Sequence, residues 1–274
     1  MSLITDFTVL MPVHQRDQMD EQFEKSIISV FKNSLLPKET LILIDGPIDS
    51  SLNKKIFFYK NKFRYRIINS KKKIGLVNIL NEGINQCKSE WIIRADADDL
   101  NSCYRFEKLM NIKNKKFDLI GSHIIELDYE TNKILKKKVP LSHNKIIKFF
   151  KFRNPFNHMT VAFKTKIAKD CGGYPDIPMK EDYALWATMI SKGAKVKNLN
   201  TFLVTVTAGA AMYKRRSGFD HIKSEISLQK HLVNCGLNNF FFAIIILFIR
   251  IFFSILPYFI KSLLYKNFLR RNKK

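Results

Sequence analysis

The chain has 274 residues, 46% of them hydrophobic, and carries a formal net charge of +23. That apolar content excludes a disordered chain, and the length supports one sizeable core, so one large domain with a short appendage is expected rather than two equal halves. A field this positive calls for a polyanion nearby, whether nucleic acid, anionic headgroups or a diphosphate-bearing substrate; an AT-rich genome's lysine habit accounts equally well for part of it.

The basic residues are unevenly placed. Lys54 to Lys73 contains no acid, and none lies between Glu130 and Asp170. The four cysteines, Cys87, Cys103, Cys171 and Cys235, form no Cys-x-x-Cys pair and have no histidine at zinc spacing, which suits a reducing compartment. Met1 to Asp6 shows no positive n-region leading into an apolar h-region, so no export signal is expected and the large domain is expected inside the cell.

In chain order, Phe7 to Met11 is a short apolar run before Pro12. Met19 to Asn33 places Phe23, Ile27, Val30 and Phe31 at helical spacing, and Leu41 to Ile44 is a second apolar run closed by the turn signal Asp45-Gly46-Pro47. Tyr65 to Ile68 reads as a third strand, Gly75 to Cys87 as an amphipathic helix using Leu76, Ile79, Leu80 and Ile84, and Trp91 to Ala95 as a fourth strand. This alternation predicts an α/β fold with a parallel sheet. Ligands of such sheets bind beyond the carboxyl ends of the strands, where Pro12-Val13-His14, Asp45-Gly46 and the acidic run after Ala95 all fall.

That run, Asp96-Ala97-Asp98-Asp99, is the strongest local signal. Carboxylates this close raise one another's pKa unless a cation or backbone N–H groups neutralise them. Mg²⁺ or Mn²⁺ takes one or two carboxylates together with substrate phosphate oxygens, so a metal-bound nucleotide is one reading. The other is a solvated turn in which Asp98 or Asp99 caps a helix beginning near Ser102. Asp45 is either a hydrogen-bonding partner of a base or ribose or an ordinary Asp-Gly turn residue. Lys71 to Lys73 either reach a phosphate or form a solvated charge run. Neither Gly-x-Gly-x-x-Gly nor Gly-x-x-x-x-Gly-Lys occurs, so any nucleotide phosphates are held by metal and lysine.

Glu181-Asp182 precedes a good helix, Tyr183 to Ile190. First-turn carboxylates are stabilised in their ionised form by the helix N-terminus, which would suit a general base as well as a merely helix-initiating pair. Upstream, Asn154 to Thr160 looks like a loop, followed by a strand and the tight turn Gly172-Gly173-Tyr174. His158 within it is either a substrate contact or a structural histidine.

The order of Pro12-Val13-His14, Asp45-Gly46, Gly75-Leu76 with Leu80-Asn81 and Gly83-Ile84, Arg94-x-Asp96-Ala97-Asp98-Asp99, Arg105-Phe106-Glu107-Lys108, Asn154 to Thr160, Gly172-Gly173-Tyr174 and Glu181-Asp182-Tyr183-x-Leu185-Trp186 resembles family 2 glycosyltransferases of GT-A fold. The likeness covers about residues 6 to 235 and is nearest to the bacterial branch that builds O-antigen, capsule and exopolysaccharide repeat units. It implies a Rossmann-like, mostly parallel sheet flanked by helices, with Pro12, Val13, His14 and Asp45 lining a nucleoside pocket beside Lys73 and Asn81. Asp96, with Ala97 beside it, would meet the ribose or the metal, and Asp98 would ligate Mn²⁺ or Mg²⁺ on the UDP diphosphate. Asp182 would be the base that deprotonates an acceptor hydroxyl for inverting, β-forming transfer. Asn157, His158 and Glu181 would lie toward the acceptor or the diphosphate. Relatives commonly carry an arginine in the strand that here reads Leu203 to Thr207, and Lys214, Arg215 and Arg216 are its expected replacements. The implied donor is UDP-galactose or UDP-glucose, and the implied acceptor a sugar on a polyprenyl diphosphate.

Residues 1–235 are thus expected to form the catalytic domain and 236–274 a hydrophobic and basic membrane-associating segment. Phe240 to Ile260 is almost wholly apolar, broken by Arg250, Ser254 and Pro257, and long enough to cross a bilayer. A span from a cytosolic domain would place Lys261, Lys266, Arg270, Arg271, Lys273 and Lys274 outside, against the positive-inside tendency. Interfacial or re-entrant attachment at the cytoplasmic face of the inner membrane is preferred. Nucleic acid is not expected as a partner, because the acidic cluster would repel its phosphates. A metal-dependent nucleotidyltransferase and a non-catalytic membrane-bound scaffold of the same fold stand as rivals.

Overall fold

The computed structural model describes residues 6–111, 116–128, 133–208 and 219–255. Its centre is a nine-stranded sheet. The buried strands alternate so that each supplies both faces. Leu10 of β1 (Phe7–Val13), Leu41 and Leu43 of β2 (Glu39–Asp45) and Ile92 of β4 (Trp91–Arg94) enter one core. Val9 and Met11, Ile42 and Ile44, and Trp91 and Ile93 enter the other. Strands covered on both sides read as continuous apolar runs, which is why they stand out in the sequence.

Helices close both faces. In α1 (Met19–Phe31), Phe23, Ile27 and Val30 recur at helical spacing and are fully buried, each such side chain contributing roughly 1.5–3 kcal/mol of apolar transfer. Next comes α2 (Ser50–Lys62), absent from the pattern reading, capped by Asp49 Oδ1 accepting the Leu52 N–H at 2.8 Å. After β3 (Arg66–Ser70), α3 (Leu76–Gln86) lies so close to the sheet that a Cβ on Gly83 would stand 2.8 Å from Leu43 Cδ1. Only glycine permits that approach.

β3, β2, β1 and β4 run parallel, as expected. Beyond β4 the sheet becomes mixed, with β8 (Ala162–Lys164) antiparallel between β4 and β6 (Leu119–Asp128). β9 (Val196–Ala208) runs parallel to β6, while β5 (Leu100–Asn101) and β7 (Lys133–Lys137) add antiparallel edges. Four shorter helices, α4 (Arg105–Met110), α5 (His143–Phe150), α6 (Thr165–Asp170) and α7 (Glu181–Ser191), fill the second half. Then α8 (Phe219–Asn234) and α9 (Phe240–Ile255) follow. Among the described residues no helix is long and apolar enough to cross a membrane, and Pro257, the expected bend, lies outside them.

The strand order reverses at β1, with β2 on one side and β4 on the other. The crevice there opens at the carboxyl ends of all three strands.

Candidate active site

The acidic loop leaves β4 through Arg94, a charged residue at the end of an apolar strand and nearly fully buried. Arg94 Nη2 donates to Asp96 Oδ1 at 2.5 Å, and Nη1 donates to the Ala95 carbonyl. Beneath it Arg105, also buried, donates through Nη2 to the Arg94 carbonyl at 2.5 Å and the Met159 carbonyl at 2.8 Å. From the other side, Ser26 Oγ of α1 donates to the Asp96 carbonyl at 2.8 Å, and Ser29 Oγ accepts the Asn101 N–H at 3.0 Å. Both ends of the acidic loop are therefore held by rigid elements.

One carboxylate oxygen each from Asp96, Asp98 and Asp99 can be chosen so that all lie within 4.8 Å of one another. The helix-capping alternative does not hold. α4 begins after Tyr104, with no side-chain cap. Burial opposes the charge on Asp96, but the Arg94 guanidinium beside it keeps its carboxyl below the usual range. Asp99 goes the other way, pushed well up by burial and by the charges of Asp96 and Asp98. Three oxygen donors this close, with burial and mutual repulsion opposing the charge on Asp99, suit a hard divalent cation.

Asp98 already has a partner. Arg16, on the loop after β1, places Nη2 2.5 Å from Asp98 Oδ2. His14 lies in the same field: desolvation first, then the charges of Arg16 and Lys73, lower its pKa, while Asp98 and Asp45 act in the opposite sense. His14, Arg16, Lys73, Asp45 and Asp98 thus converge on one mouth of the crevice. Pro12, Val13 and Ala97 are buried beneath it.

Two of the residues expected at the nucleoside also bind backbone. Asp45 Oδ1 accepts the N–H groups of Ile74 at 2.7 Å and Gly75 at 3.2 Å, fixing the entry to α3. Asn81 accepts the Tyr174 N–H at 2.7 Å and donates to the Tyr174 carbonyl at 2.9 Å. It pins the Gly172-Gly173-Tyr174 turn to α3.

The second acidic pair sits at the start of α7. Asp182 Oδ2 accepts Asn154 Nδ2 at 2.7 Å, and its Oδ1 accepts the Tyr183 N–H at 2.7 Å. Glu181 departs from the expectation that the helix start keeps both residues ionised. Burial, then the Asp182 charge, pushes its carboxyl up to about 7. His158 Nε2 pairs with the Tyr174 hydroxyl at 2.9 Å, and burial with the Arg94 charge lowers it to about 4. Asp182 and Asp96 both act on it in the opposite sense, which places the neutral imidazole between the two acidic corners. Asn157 is buried and donates to the Ser122 carbonyl at 2.9 Å, a placement inside the protein rather than at an acceptor surface. Lys214, Arg215 and Arg216 lie outside the described residues.

Residues 8–173, more than half of the chain, match the family described as Glycosyl transferase family 2. The chain belongs to that family. As a family 2 glycosyltransferase it is 34% identical over 268 residues to the UDP-Gal:alpha-D-GlcNAc-diphosphoundecaprenol beta-1,3-galactosyltransferase of Escherichia coli, covering 97% of each chain. It is 31% identical over 263 residues to the amylovoran biosynthesis glycosyltransferase AmsE of Erwinia amylovora, covering 95% of this chain and 98% of that one. Among solved structures, S. aureus TarS 1-349 superposes with a TM-score of 0.65 at 16% identity, over 98% of this glycosyltransferase and 75% of TarS 1-349. Against a longer TarS chain the TM-score is 0.63, over 83% of this chain and 40% of that one. The fold of this glycosyltransferase is GT-A.

Arg16 escaped the sequence reading because a lone arginine in a loop gives no pattern. Asn154 and Arg94 were inside quoted motifs but had no role assigned; a charged residue ending the run Trp91-Ile92-Ile93 was the available signal for Arg94.

Proposed function

We propose that the chain is an inverting, metal-dependent galactosyltransferase that moves galactose from UDP-galactose to an N-acetylglucosamine carried on a lipid diphosphate, in the assembly of a bacterial surface polysaccharide. The observation that carries this reading is the full-length likeness to the Escherichia coli galactosyltransferase, taken with the acidic corner and the Asn154-supported carboxylate of Asp182. Asp98 and Asp96 would hold Mn²⁺ or Mg²⁺, with Asp99 beside them. When bound, the ion offsets the charge that builds on the departing diphosphate. Arg16 and Lys73 stand at the same mouth to meet phosphate oxygens. Asp182 takes the acceptor hydroxyl proton, and Asn154 keeps its carboxylate aimed. Attack opposite the leaving UDP gives the β-linkage.

Residues 1–235 would then be the catalytic domain and 236–274 the attachment to the membrane. Support for attachment comes from α9, whose Ala243 and Ile246 are buried while Phe241, Ile245, Phe248 and Phe252 form one exposed stripe. An apolar helix with a single outward-facing stripe suits lying in the interface. The chain continues with Lys261, Lys266, Arg270, Arg271, Lys273 and Lys274, which suit anionic headgroups at the cytoplasmic face.

Purified protein tested against a panel of UDP-sugars, with a synthetic N-acetylglucosamine diphosphate lipid, should release UDP only with UDP-galactose and Mn²⁺ or Mg²⁺. NMR of the product should show a β-linkage. Transfer from another UDP-sugar in preference, or an α-linked product, would refute the reading.

A further inference from the structure

We propose that Glu225 is a positioning residue for the Asp182 base and that, through it, α9 belongs to the catalytic machinery as well as to membrane attachment. The inference rests on the transferase reading above.

Glu225 lies within α8 and is 1% exposed. A carboxylate removed from water in this way survives only when fully paired, and here it is. Its Oε2 lies 3.1 Å from Lys180 Nζ and 3.1 Å from Arg250 Nη1, and Oε1 accepts Gln229 Nε2 at 3.0 Å.

The two cations lead to opposite sides of the base. Lys180 immediately precedes α7, whose first two residues are Glu181 and Asp182. Arg250 belongs to α9, and its second arm, Nη2, donates to the Phe152 carbonyl at 2.5 Å. Two residues further on, Asn154 Nδ2 holds Asp182 Oδ2 at 2.7 Å. A single guanidinium on α9 therefore steadies the loop that carries the Asn154 donor, and through Glu225 it steadies the residue that starts the base helix. Phe152 and Phe242 add an edge-to-face contact with ring centroids 5.3 Å apart, joining the same loop to the same helix.

The backbone adds a reason for the Lys180 arm. Met179 has φ +64°, a left-handed conformation that costs energy for any side chain other than glycine and persists only where the surroundings enforce it. The Lys180 ion pair follows directly. A buried ion pair is by itself weak evidence for stability, since apolar residues of the same volume serve as well or better. What an apolar replacement lacks is direction. Glu225 fixes two named cations at set distances, and each is one short segment from an oxygen or donor of the base.

The test uses the full-length chain with Arg250→Met, Lys180→Met and the double variant. Each single change should lower kcat for galactosyl transfer about tenfold while UDP-galactose affinity by calorimetry stays within about twofold, because the network as proposed supports Asp182 and not the donor residues. The double variant, which leaves Glu225 with no cation, should lose more than the product of the two single losses, since both act through Glu225. Arg250→Lys, which keeps a charge for Glu225 but loses the fork that reaches Phe152, should recover part of kcat. All variants should still float with vesicles containing phosphatidylglycerol, separating positioning from attachment. Lowered thermal stability with kcat of the folded enzyme within about twofold of wild type would make the network a structural staple and overturn the proposal. So would loss of donor binding in step with kcat. Absence of turnover in the wild-type chain would instead remove the function on which this role rests.

Discussion

Arg16 Nη2 stands 2.5 Å from Asp98 Oδ2 and donates to Gln22 Oε1 at 3.0 Å, so a side-chain cation holds the carboxylate best placed to bind a metal. If Asp98 ligates a divalent ion as proposed, Arg16 competes with that ion for it. An ion pair of this partial exposure is worth about 0.2–1 kcal/mol. Arg16→Gln should tighten Mn²⁺ binding to the nucleotide-free protein by roughly 1.4- to fivefold, the same energy expressed as affinity. Titration followed by Mn²⁺ EPR measures it, and unchanged or weaker affinity would show that the arginine does not compete.

Asp182 has one side-chain donor, Asn154, and the N–H of its own helix start. Asp182→Asn keeps the size of the group but removes the proton acceptor. Transfer should fall by about 10²–10⁴, the usual contribution of a positioned general base, with UDP affinity intact by calorimetry. Loss of UDP binding would instead tie Asp182 to the donor.

Glu181 gives stability a defined pH dependence. Its folded pKa of about 7 exceeds the ordinary value of 4.5, so the folded state holds a proton that the unfolded chain has released between those limits. The contribution is fully present below about pH 4.5 and is lost as pH rises through about 7, on the order of 3 kcal/mol in all. Denaturant unfolding from pH 4.5 to 8 should show the decline, and Glu181→Gln should flatten it. A slope that persists in Glu181→Gln would assign it to another group.

Gly173 has φ +77°, and a Cβ there would stand 2.3 Å from Asn81 Oδ1, which is already committed to the Tyr174 N–H. Gly173→Ala combines left-handed strain with the loss of that clamp and should cost about 2 kcal/mol or more. Thermal unfolding checks it. An unchanged melting temperature would mean that the Gly172-Gly173-Tyr174 turn tolerates another backbone path.

Between β1 and β4, the strands β1, β2 and β4 were legible because they are buried on both faces, and α1 and α3 because they keep a 3.6-residue period, as Phe23, Ile27 and Val30 do; α2, which buries only Leu52, Ile56 and Tyr59, was not. β8 was harder to read: Ala162 to Lys164 is too short to carry a period, and its antiparallel insertion between β4 and β6 is decided by tertiary pairing. The acidic corner was legible as a cluster, yet its division of labour was not. Asp96 and Asp99 move in opposite directions only because Arg94 lies against one and burial dominates the other. Asn81 shows the limit of a motif, since its position in the chain is the expected one while its side chain serves the Tyr174 backbone. Glu225 gave no local signal because Lys180 and Arg250 reach it from distant parts of the sequence.

The exposed stripe on α9 yields the remaining prediction. Phe241 and Phe248 are 77% and 68% exposed and lie one heptad apart, on the face opposite the buried Ala243 and Ile246. Moving a phenylalanine from water into an apolar phase is worth roughly 1.5–3 kcal/mol, and an introduced carboxylate also meets anionic headgroups with like charge. Phe241→Asp and Phe248→Asp should each weaken binding to phosphatidylglycerol vesicles by at least about tenfold, the lower end of that energy. Turnover on a short, water-soluble acceptor should persist, because neither ring touches the Glu225 network. Flotation and the soluble-acceptor assay read the two effects separately. If both variants float as well as wild type, the stripe is not the membrane-facing surface.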